Sequence, residues 1–355
     1  MTTVTCSVAQ RCGGCPLLDL SEEAARERKT HELRRALVRE LGDDFEAFPI
    51  HWISLHTASG YRHRLRLKID LDGKIRFFNQ EKSIDCAVLE PGLRKRVPEL
   101  LTFANELDGA LEELCHVEVR ARDLDGKYGA CFYPKNPERL PTAPLLKALV
   151  QLEPHWLWTV AHDTATIPYQ RYALLQHFHY VPLTSFLQVN RAVNDALISK
   201  VIEGAAARNL RSFCDLYAGA GNFTLPLLSN ELRGTAVEYD AKAMSACELS
   251  AIVQGLKHGK FLAGDAHERA LELAQRGERF ELVLIDPPRA GAKDAILTLA
   301  SLSTSHIVYC SCNPASLARD LRKLILDGWH VESVAAYDMF EGTKHLETCV
   351  WLGKV

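Results

Sequence analysis

Asp215-Leu216-Tyr217-Ala218-Gly219-Ala220-Gly221-Asn222-Phe223-Thr224 is the stretch that decides the fold. A short apolar run, Ser212 to Leu216, enters it, and Leu225-Pro226-Leu227-Leu228 leaves it as the start of a helix. Glycines at a strand-to-helix turn let the backbone approach a ligand closely, because no Cβ stands in the way. The spacing predicts a parallel α/β sheet, and the sequence on either side extends it. Gly234-Thr235-Ala236-Val237-Glu238 reads as the next strand. It ends in an acid 17 residues past Gly221, placed to accept hydrogen bonds from ribose hydroxyls. Lys260-Phe261-Leu262-Ala263 follows and closes on Gly264-Asp265. Leu282-Val283-Leu284-Ile285 closes on Asp286-Pro287-Pro288-Arg289, and His306-Ile307-Val308-Tyr309 on Cys310-Ser311-Cys312-Asn313-Pro314. Reactive side chains at the carboxyl ends of successive strands mark the ligand crevice of an open α/β sheet.

The end of the chain departs from a dinucleotide-binding domain, and so does the turn, which lacks the third glycine of that fingerprint. Two further strands, about 331–337 and 348–352, are separated by only ten residues, 338–347. That gap is too short for a helical crossover, so the last pair is expected to be antiparallel. Upstream, Ser21-Glu22-Glu23 opens an amphipathic helix over about 21–41, with Leu33, Leu37 and Leu41 four apart. In Tyr61-Arg62-His63-Arg64-Leu65-Arg66-Leu67-Lys68-Ile69, cations alternate with largely apolar residues, as in a half-buried strand. Asp72-Gly73 then supplies a hairpin turn. Strand-like pieces occur at Val117-Glu118-Val119 and at 156–160, but residues 100–185 carry no legible topology.

Of the 355 residues, 47% are apolar and 25% charged, the balance of a soluble globular protein. No apolar run reaches the length of a membrane span. Met1 to Cys6 has neither the basic flank nor the apolar stretch of a signal peptide, so a cytoplasmic location is expected. A net charge of −3 excludes a wholesale polycation. Residues 51–100 nonetheless hold ten Lys and Arg against six Asp and Glu. Arg62, Arg64, Arg66 and Lys68 share one strand face. A solvated face is the plain account of that spacing, and contact with nucleic-acid phosphates is the functional one.

Eleven cysteines are many for a chain without a secretion signal, and an odd number cannot pair completely. Cys115, Cys131, Cys214 and Cys247 read as buried thiols. Cys6, Cys12 and Cys15 are spaced C-x5-C-x2-C, with Gly13 and Gly14 in the short gap. A fourth thiolate is available from the distant Cys86. Three close ligands and one distant one suit an iron–sulfur centre, and zinc would also accept four thiolates.

A seven-stranded sheet with an antiparallel last strand resembles the S-adenosylmethionine-dependent methyltransferase fold. Four motifs sharpen the resemblance: the 215–224 stretch, Asp286-Pro287-Pro288-Arg289-Ala290-Gly291, Ser311-Cys312-Asn313-Pro314 and His345-Leu346-Glu347. In this order they resemble the RNA uracil-C5 methyltransferases, which form 5-methyluridine in ribosomal and transfer RNA. Phe186-Leu187-Gln188-Val189-Asn190 is similar to that family's entry into its catalytic domain. The resemblance implies residues 186–355 as the catalytic domain and 1–185 as a β-rich RNA-binding region, with the 21–41 helix a candidate to pack on the catalytic part. Cys6, Cys12, Cys15 and Cys86 match the branch that holds a [4Fe-4S] cluster. Many relatives carry a small RNA-binding barrel before the cluster. Here the cluster motif starts at residue 6, so that barrel is expected to be absent, as in shorter 23S ribosomal RNA enzymes. The implied partner is RNA, 23S ribosomal RNA foremost, with no membrane and no obligate protein partner.

The chemistry makes matching demands. C5 of uracil is a poor nucleophile until a thiolate adds at C6, and a base must afterwards remove the C5 proton. The resemblance makes Cys312 the nucleophile and Glu347 the base, with Cys310 a packed thiol. It also implies that Gln188, Tyr217, Asn222, Glu238, Asp265 and Asp286 contact S-adenosylmethionine. Three rivals have their own signatures: a transfer RNA uracil-C5 enzyme, an RNA cytosine-C5 methyltransferase, and a non-catalytic iron–sulfur RNA-binding protein that has no need of Cys312 or Glu347.

Overall fold

The computed structural model describes residues 6–7, 12–55, 59–76, 85–106, 111–139, 142–151, 155–161 and 167–354. They divide into two units, each assembled from three stretches of chain, so no single cut separates them. Residues 1–19, 57–172 and 180–191 make the first unit, and 20–56, 173–179 and 192–355 the second. Residues 186–191 therefore go with the first unit, and the 21–41 helix with the second.

The first unit is built on a five-stranded sheet in the order β3-β2-β4-β5-β6. The strands are β2 (Arg64–Ile69), β3 (Ile75–Arg76), β4 (Leu114–Arg120), β5 (Tyr128–Pro134) and β6 (Trp156–Val160). All neighbours are antiparallel except β5 and β6. That parallel pair needs a crossover, and helix α3 (Ala143–Leu149) lies within it. Leu65, Leu67, Val117, Val119, Ala130 and Phe132 alternate along their strands and fill one face. Helix α2 (Pro91–Glu106) contributes Leu93, Val97, Leu100 and Ala104, spaced three and four apart, to the same core. Strands β7 (Tyr169–Leu174) and β8 (His177–Pro182) form a separate two-stranded ribbon.

The second unit carries the expected open sheet, with one strand more than the seven read from the sequence. It comprises β1 (Ile50–Ile53), β9 (Ser212–Leu216), β10 (Arg233–Glu238), β11 (Gly259–Ala263), β12 (Phe280–Ile285), β13 (Ser303–Ser311), β14 (Trp329–Tyr337) and β15 (Glu347–Lys354). The order is β1-β14-β15-β13-β12-β9-β10-β11. Only β15 is antiparallel to its neighbours. The additional strand, β1, pairs in parallel with β14 from almost three hundred residues away. Its four residues follow a proline and show no alternation, so nothing local announces it.

Helices α4 (Arg191–Ala207), α5 (Thr224–Ser229), α6 (Ala241–Val253), α7 (Ala266–Gln275), α8 (Ile296–Ala300) and α9 (Pro314–Leu326) connect the strands. Helix α1 (Glu22–Leu41) begins where Ser21 Oγ accepts from Ala24 N at 3.2 Å and ends at Gly42. Its Leu33 and Leu37 are fully buried in the sheet unit's core beside Leu321 and Leu324 of α9. From β9 the chain runs outward through β10 and β11, then returns to β12 on the other side of β9. The order reverses between β9 and β12, which places the ligand crevice at their carboxyl ends.

Candidate active site

The turn after β9 is built for close approach. Tyr217, Gly219 and Gly221 all have positive φ, at 67°, 56° and 92°. A Cβ on Gly219 would meet nothing within 4 Å, so that glycine opens onto free space. A Cβ on Gly221 would stand 2.6 Å from Cys247 Sγ of α6, so that glycine is required for packing. Beneath the turn, the fully buried Asp215 accepts a 2.5 Å bond from Thr224 Oγ1, while its Oδ1 has no partner. Burial lifts this carboxyl to about 7, with the Asp286 charge adding to it.

Glu238 ends β10 and turns back over the glycine loop. Its Oε2 accepts from Gly219 N at 2.8 Å and its Oε1 from Asp240 N at 2.9 Å. These bonds hold the carboxylate, which is half-buried, at the carboxyl end of β10. Asp265 caps α7, accepting from His267 N and Glu268 N at 2.9 and 3.2 Å, and is exposed. Asn222 exchanges two amide bonds with Asn194, at 2.8 and 3.0 Å, which fix its orientation. Burial, followed by the Asp265 charge, pushes the Tyr217 hydroxyl up to about 12. Tyr217, Asn222, Glu238, Asp265 and Asp286 thus all lie at or just past carboxyl ends in the second unit. Gln188 belongs to the first unit, half-buried between β8 and α4.

Strand register sets Cys312 beside Glu347. In the antiparallel pair β13–β15, Cys310 faces Cys349 and Ser311 faces Thr348. The next step of the same ladder brings Cys312, one residue past β13, level with Glu347, the first residue of β15. Glu347 is thus in the strand and not on the turn before it. The parallel register of β12 with β13 pairs Ile285 with Tyr309, so Asp286, one residue past β12, comes level with Cys310, and its charge reaches both Glu347 and Cys312. Cys310 is 1% exposed and its thiol engages Cys349, so it is packed away from the crevice.

Electrostatics bind these groups together. Burial, then the Glu347 charge, raise the Cys312 thiol, and the Arg289 guanidinium counters by hydrogen-bonding the sulfur. Glu347 is 4% exposed. Burial holds it well above the usual carboxylate range and the Asp286 charge adds to this. Burial lifts Asp286 to about 6. Two neighbouring carboxyls with raised pKa values retain a proton near neutrality more readily than either would alone in water.

The loops that carry these groups are anchored by residues the sequence did not single out. Asn313 caps α9 through Ala315 N at 3.1 Å, and its Nδ2 donates to Arg289 O at 2.9 Å. Fully buried Asp320 accepts from Ala292 N at 2.8 Å and Tyr309 Oη at 2.7 Å, and Arg319 donates to Ala290 O at 2.9 Å. The 286–292 loop is thereby tied to α9 on one side and to the Cys312 turn on the other. Buried Lys29 of α1 pairs with Asp338 at 2.6 Å and donates to Phe340 O at 3.2 Å, which ties α1 to the segment after β14.

The remaining sequence candidates lie in the first unit. Cys6, Cys12, Cys15 and Cys86 line one small cavity with Gly14 and Leu18. Burial, then the other thiols with Cys86 foremost, push Cys15 up to about 11, while Arg62 pulls it down. Among the described residues no three His, Cys, Asp or Glu side chains are placed to hold one metal ion. The basic strand is not four free cations. Arg64 is ion-paired to Glu118 at 3.2 Å and lies over the Phe186 ring at 4.6 Å, and Arg62 Nε donates to Arg64 O at 3.2 Å. Arg66 and Lys68 are exposed.

Comparison with known proteins agrees with this geometry. The sequence model of the tRNA (uracil-5-)-methyltransferase family matches residues 175–355, just over half of the chain. The chain is 29% identical to the 23S rRNA (uracil(1939)-C(5))-methyltransferase RlmD of Vibrio campbellii, over 97% of this chain and 80% of that protein. It is also 29% identical to the RlmD of Pseudomonas aeruginosa, over 96% and 78%. Its fold is similar to that of Pyrococcus abyssi tRNA (uracil-54, C5)-methyltransferase in complex with S-adenosyl-L-homocysteine. That likeness has a TM-score of 0.71 at 22% identity, over 96% of this chain and 85% of the other. With its motifs, strand register and family match in agreement, this chain belongs to the tRNA (uracil-5-)-methyltransferase family.

Proposed function

We propose that the protein methylates C5 of a uridine in 23S ribosomal RNA, using S-adenosylmethionine. The observation that carries the chemistry is the ladder step that sets a thiol, Cys312, level with a buried carboxyl, Glu347. The proposed cofactor site comprises Tyr217, Asn222, Glu238, Asp265 and Asp286; the motif resemblance adds Gln188. The open space at Gly219 and the carboxylate of Glu238 suit a nucleoside with a ribose diol. When bound, S-adenosylmethionine supplies a sulfonium methyl group to a carbon made nucleophilic beside it.

The Cys312 thiolate adds to C6 of uracil, and the C5–C6 electron pair moves onto C5 and O4. Arg289 stabilises the thiolate before attack, since its guanidinium opposes the burial that favours the thiol. After C5 carries the methyl group, Glu347 takes the C5 proton. The C6–S bond then breaks, and its electron pair returns to Cys312. A carboxylate with an ordinary pKa is a weak base toward carbon, and burial makes Glu347 a stronger one.

The four cysteines line one cavity, and four thiolates are the donor set that a [4Fe-4S] centre takes. In this reading Cys6, Cys12, Cys15 and Cys86 hold a structural cluster that ties the N-terminal loop to the Cys86 turn. Methyl transfer needs no electrons from it. Arg66 and Lys68 contact RNA phosphates, and Arg62 and Arg64 act from behind them. The work is placed in the cytoplasm. The experiment is incorporation of labelled methyl groups into transcripts of 23S ribosomal RNA and of transfer RNA, followed by nucleoside analysis. 5-Methyluridine in 23S ribosomal RNA is expected. 5-Methylcytidine, label in transfer RNA alone, or no transfer would each overturn the proposal in favour of one of the three rivals.

A further inference from the structure

The first unit's sheet has one apolar face and one polar face, and the polar face carries more than phosphate contacts. Across β2 and β4, Arg64 stands opposite Arg120, Arg66 opposite Glu118 and Lys68 opposite His116. Across β4 and β5, Glu118 stands opposite Cys131 and His116 opposite Tyr133. Along β2 and β4, four cations therefore share this face with the carboxylate of Glu118, and Arg76 of β3, opposite Lys68, is paired to Asp70 at 2.7 Å. Glu118 is 4% exposed and already within 3.6 Å of three guanidinium groups. The end of the face nearest Arg120 is closed: Arg120 is 1% exposed and donates to the carbonyls of Pro182 and Ser185. At the other end the imidazole of His116 and the ring of Tyr133 stack at 4.2 Å with their planes 12° apart. Both are only partly covered, and Lys68 and Arg66 beside them are exposed.

We propose that the His116–Tyr133 stack, flanked by Arg66 and Lys68, is a landing platform for an unpaired nucleotide of the RNA substrate. An aromatic pair on this sheet face, beside the exposed cations Arg66 and Lys68, fits a base by its π-face and the adjoining phosphates by their charge. It does not fit duplex RNA, whose bases are already stacked. It also disfavours an acidic peptide, which would use the cations and leave the rings idle. Cys312 belongs to the second unit and the platform to the first. The platform selects substrates that carry a single-stranded segment. This inference rests on the RNA-methylating reading and deepens it.

The test uses the full-length protein and a single-stranded RNA with 5-iodouridine in place of uridine. Irradiation of the wild-type complex should cross-link a peptide containing Tyr133 or His116. In parallel, RNA affinity is measured against salt concentration for wild type, Tyr133→Leu, Tyr133→Phe, His116→Leu and the double variant Arg66→Ser/Lys68→Ser. Loss of the stack should weaken single-strand binding about five- to a hundredfold, raise KM for RNA and leave kcat unchanged. The salt slope should stay at the wild-type value. Tyr133→Phe keeps the ring and should bind as wild type. The double serine variant should bind more weakly with a flatter salt slope. Wild-type affinity in both leucine variants, or cross-links confined to other peptides, overturns the platform while leaving the methyltransferase reading intact. A wild-type protein that binds no RNA at any salt concentration overturns the reading itself.

Discussion

Replacing Asp215 with Asn isolates the electrostatic strain stored under the cofactor turn. The wild-type carboxyl is fully buried, has one oxygen without a partner and titrates at about 7. In the unfolded chain it titrates near 3.8, so folding raises its proton affinity. Its contribution to stability is therefore complete below about pH 3.8 and is lost as pH rises through 7. Moving the group from 3.8 to about 7 corresponds to about 4 kcal/mol across that window, at about 1.4 kcal/mol per pH unit. Between pH 5 and 8 the loss is about 3 kcal/mol by the same linkage. Asn has nearly the same shape and carries no charge, so the variant should lack this dependence. The constant cost of an unsatisfied amide shifts its whole curve without changing the slope. Other buried acids such as Asp286 titrate in both proteins and largely cancel in the difference. Melting temperatures of wild type and Asp215→Asn at pH 5, 6.5 and 8 supply the assay. The wild type should lose about 6–12 °C relative to the variant between pH 5 and 8, taking about 2–4 °C per kcal/mol for a unit of this size. Parallel curves would refute the reasoning, and would mean that Asp215 stays ionised at little cost.

Other perturbations test the anchoring of the site. Gly291 has φ of 74°, and a Cβ there would stand 2.5 Å from both Arg319 Nη2 and Asp320 Oδ2. Gly291→Ala should therefore displace the 286–292 loop and lower kcat by more than tenfold, with RNA affinity retained. Cys310→Ala should stay active, because that thiol packs on Cys349, whereas Cys312→Ala should be inactive yet still bind RNA and cofactor in equilibrium assays. Protein purified without oxygen should contain about four irons per chain, and replacing Cys86 with Ala should abolish that content. One zinc per chain instead would exchange the cluster for a zinc site.

Much of the catalytic unit was legible because its signals are local. The glycine turn, the acid after β10 and the cysteine after β13 each lie at the end of a short apolar run, and open α/β sheets place function there. The antiparallel end followed from the length of one gap. What escaped reading depends on pairing across long stretches of sequence. β1 joins β14 by register alone, and its four residues carry no pattern of their own. The level of Cys312 with Glu347 comes from the β13–β15 ladder, which the sequence does not state, although a motif resemblance named both residues. Arg64 read as one of four equivalent cations because alternation reports a face and not what lies above it. The buried Glu118 and the Phe186 ring, 54 and 122 residues away, decide its role. Asp320 and Arg319 belong to no motif, and only the fold turns them toward the 286–292 loop.

The central claim is that Cys312 attacks first and Glu347 acts only after C5 is methylated. Glu347→Gln is the variant that separates these steps. Mixed with 23S ribosomal RNA and S-adenosylmethionine, it should methylate the ring and then stall, because the C5 proton cannot leave. Denaturing electrophoresis should show a slow-migrating protein–RNA species that carries labelled methyl. That species should be absent from the double variant Cys312→Ala/Glu347→Gln. A Glu347→Gln protein that turns over freely and leaves no adduct would contradict the account, since the proton would then leave by another base.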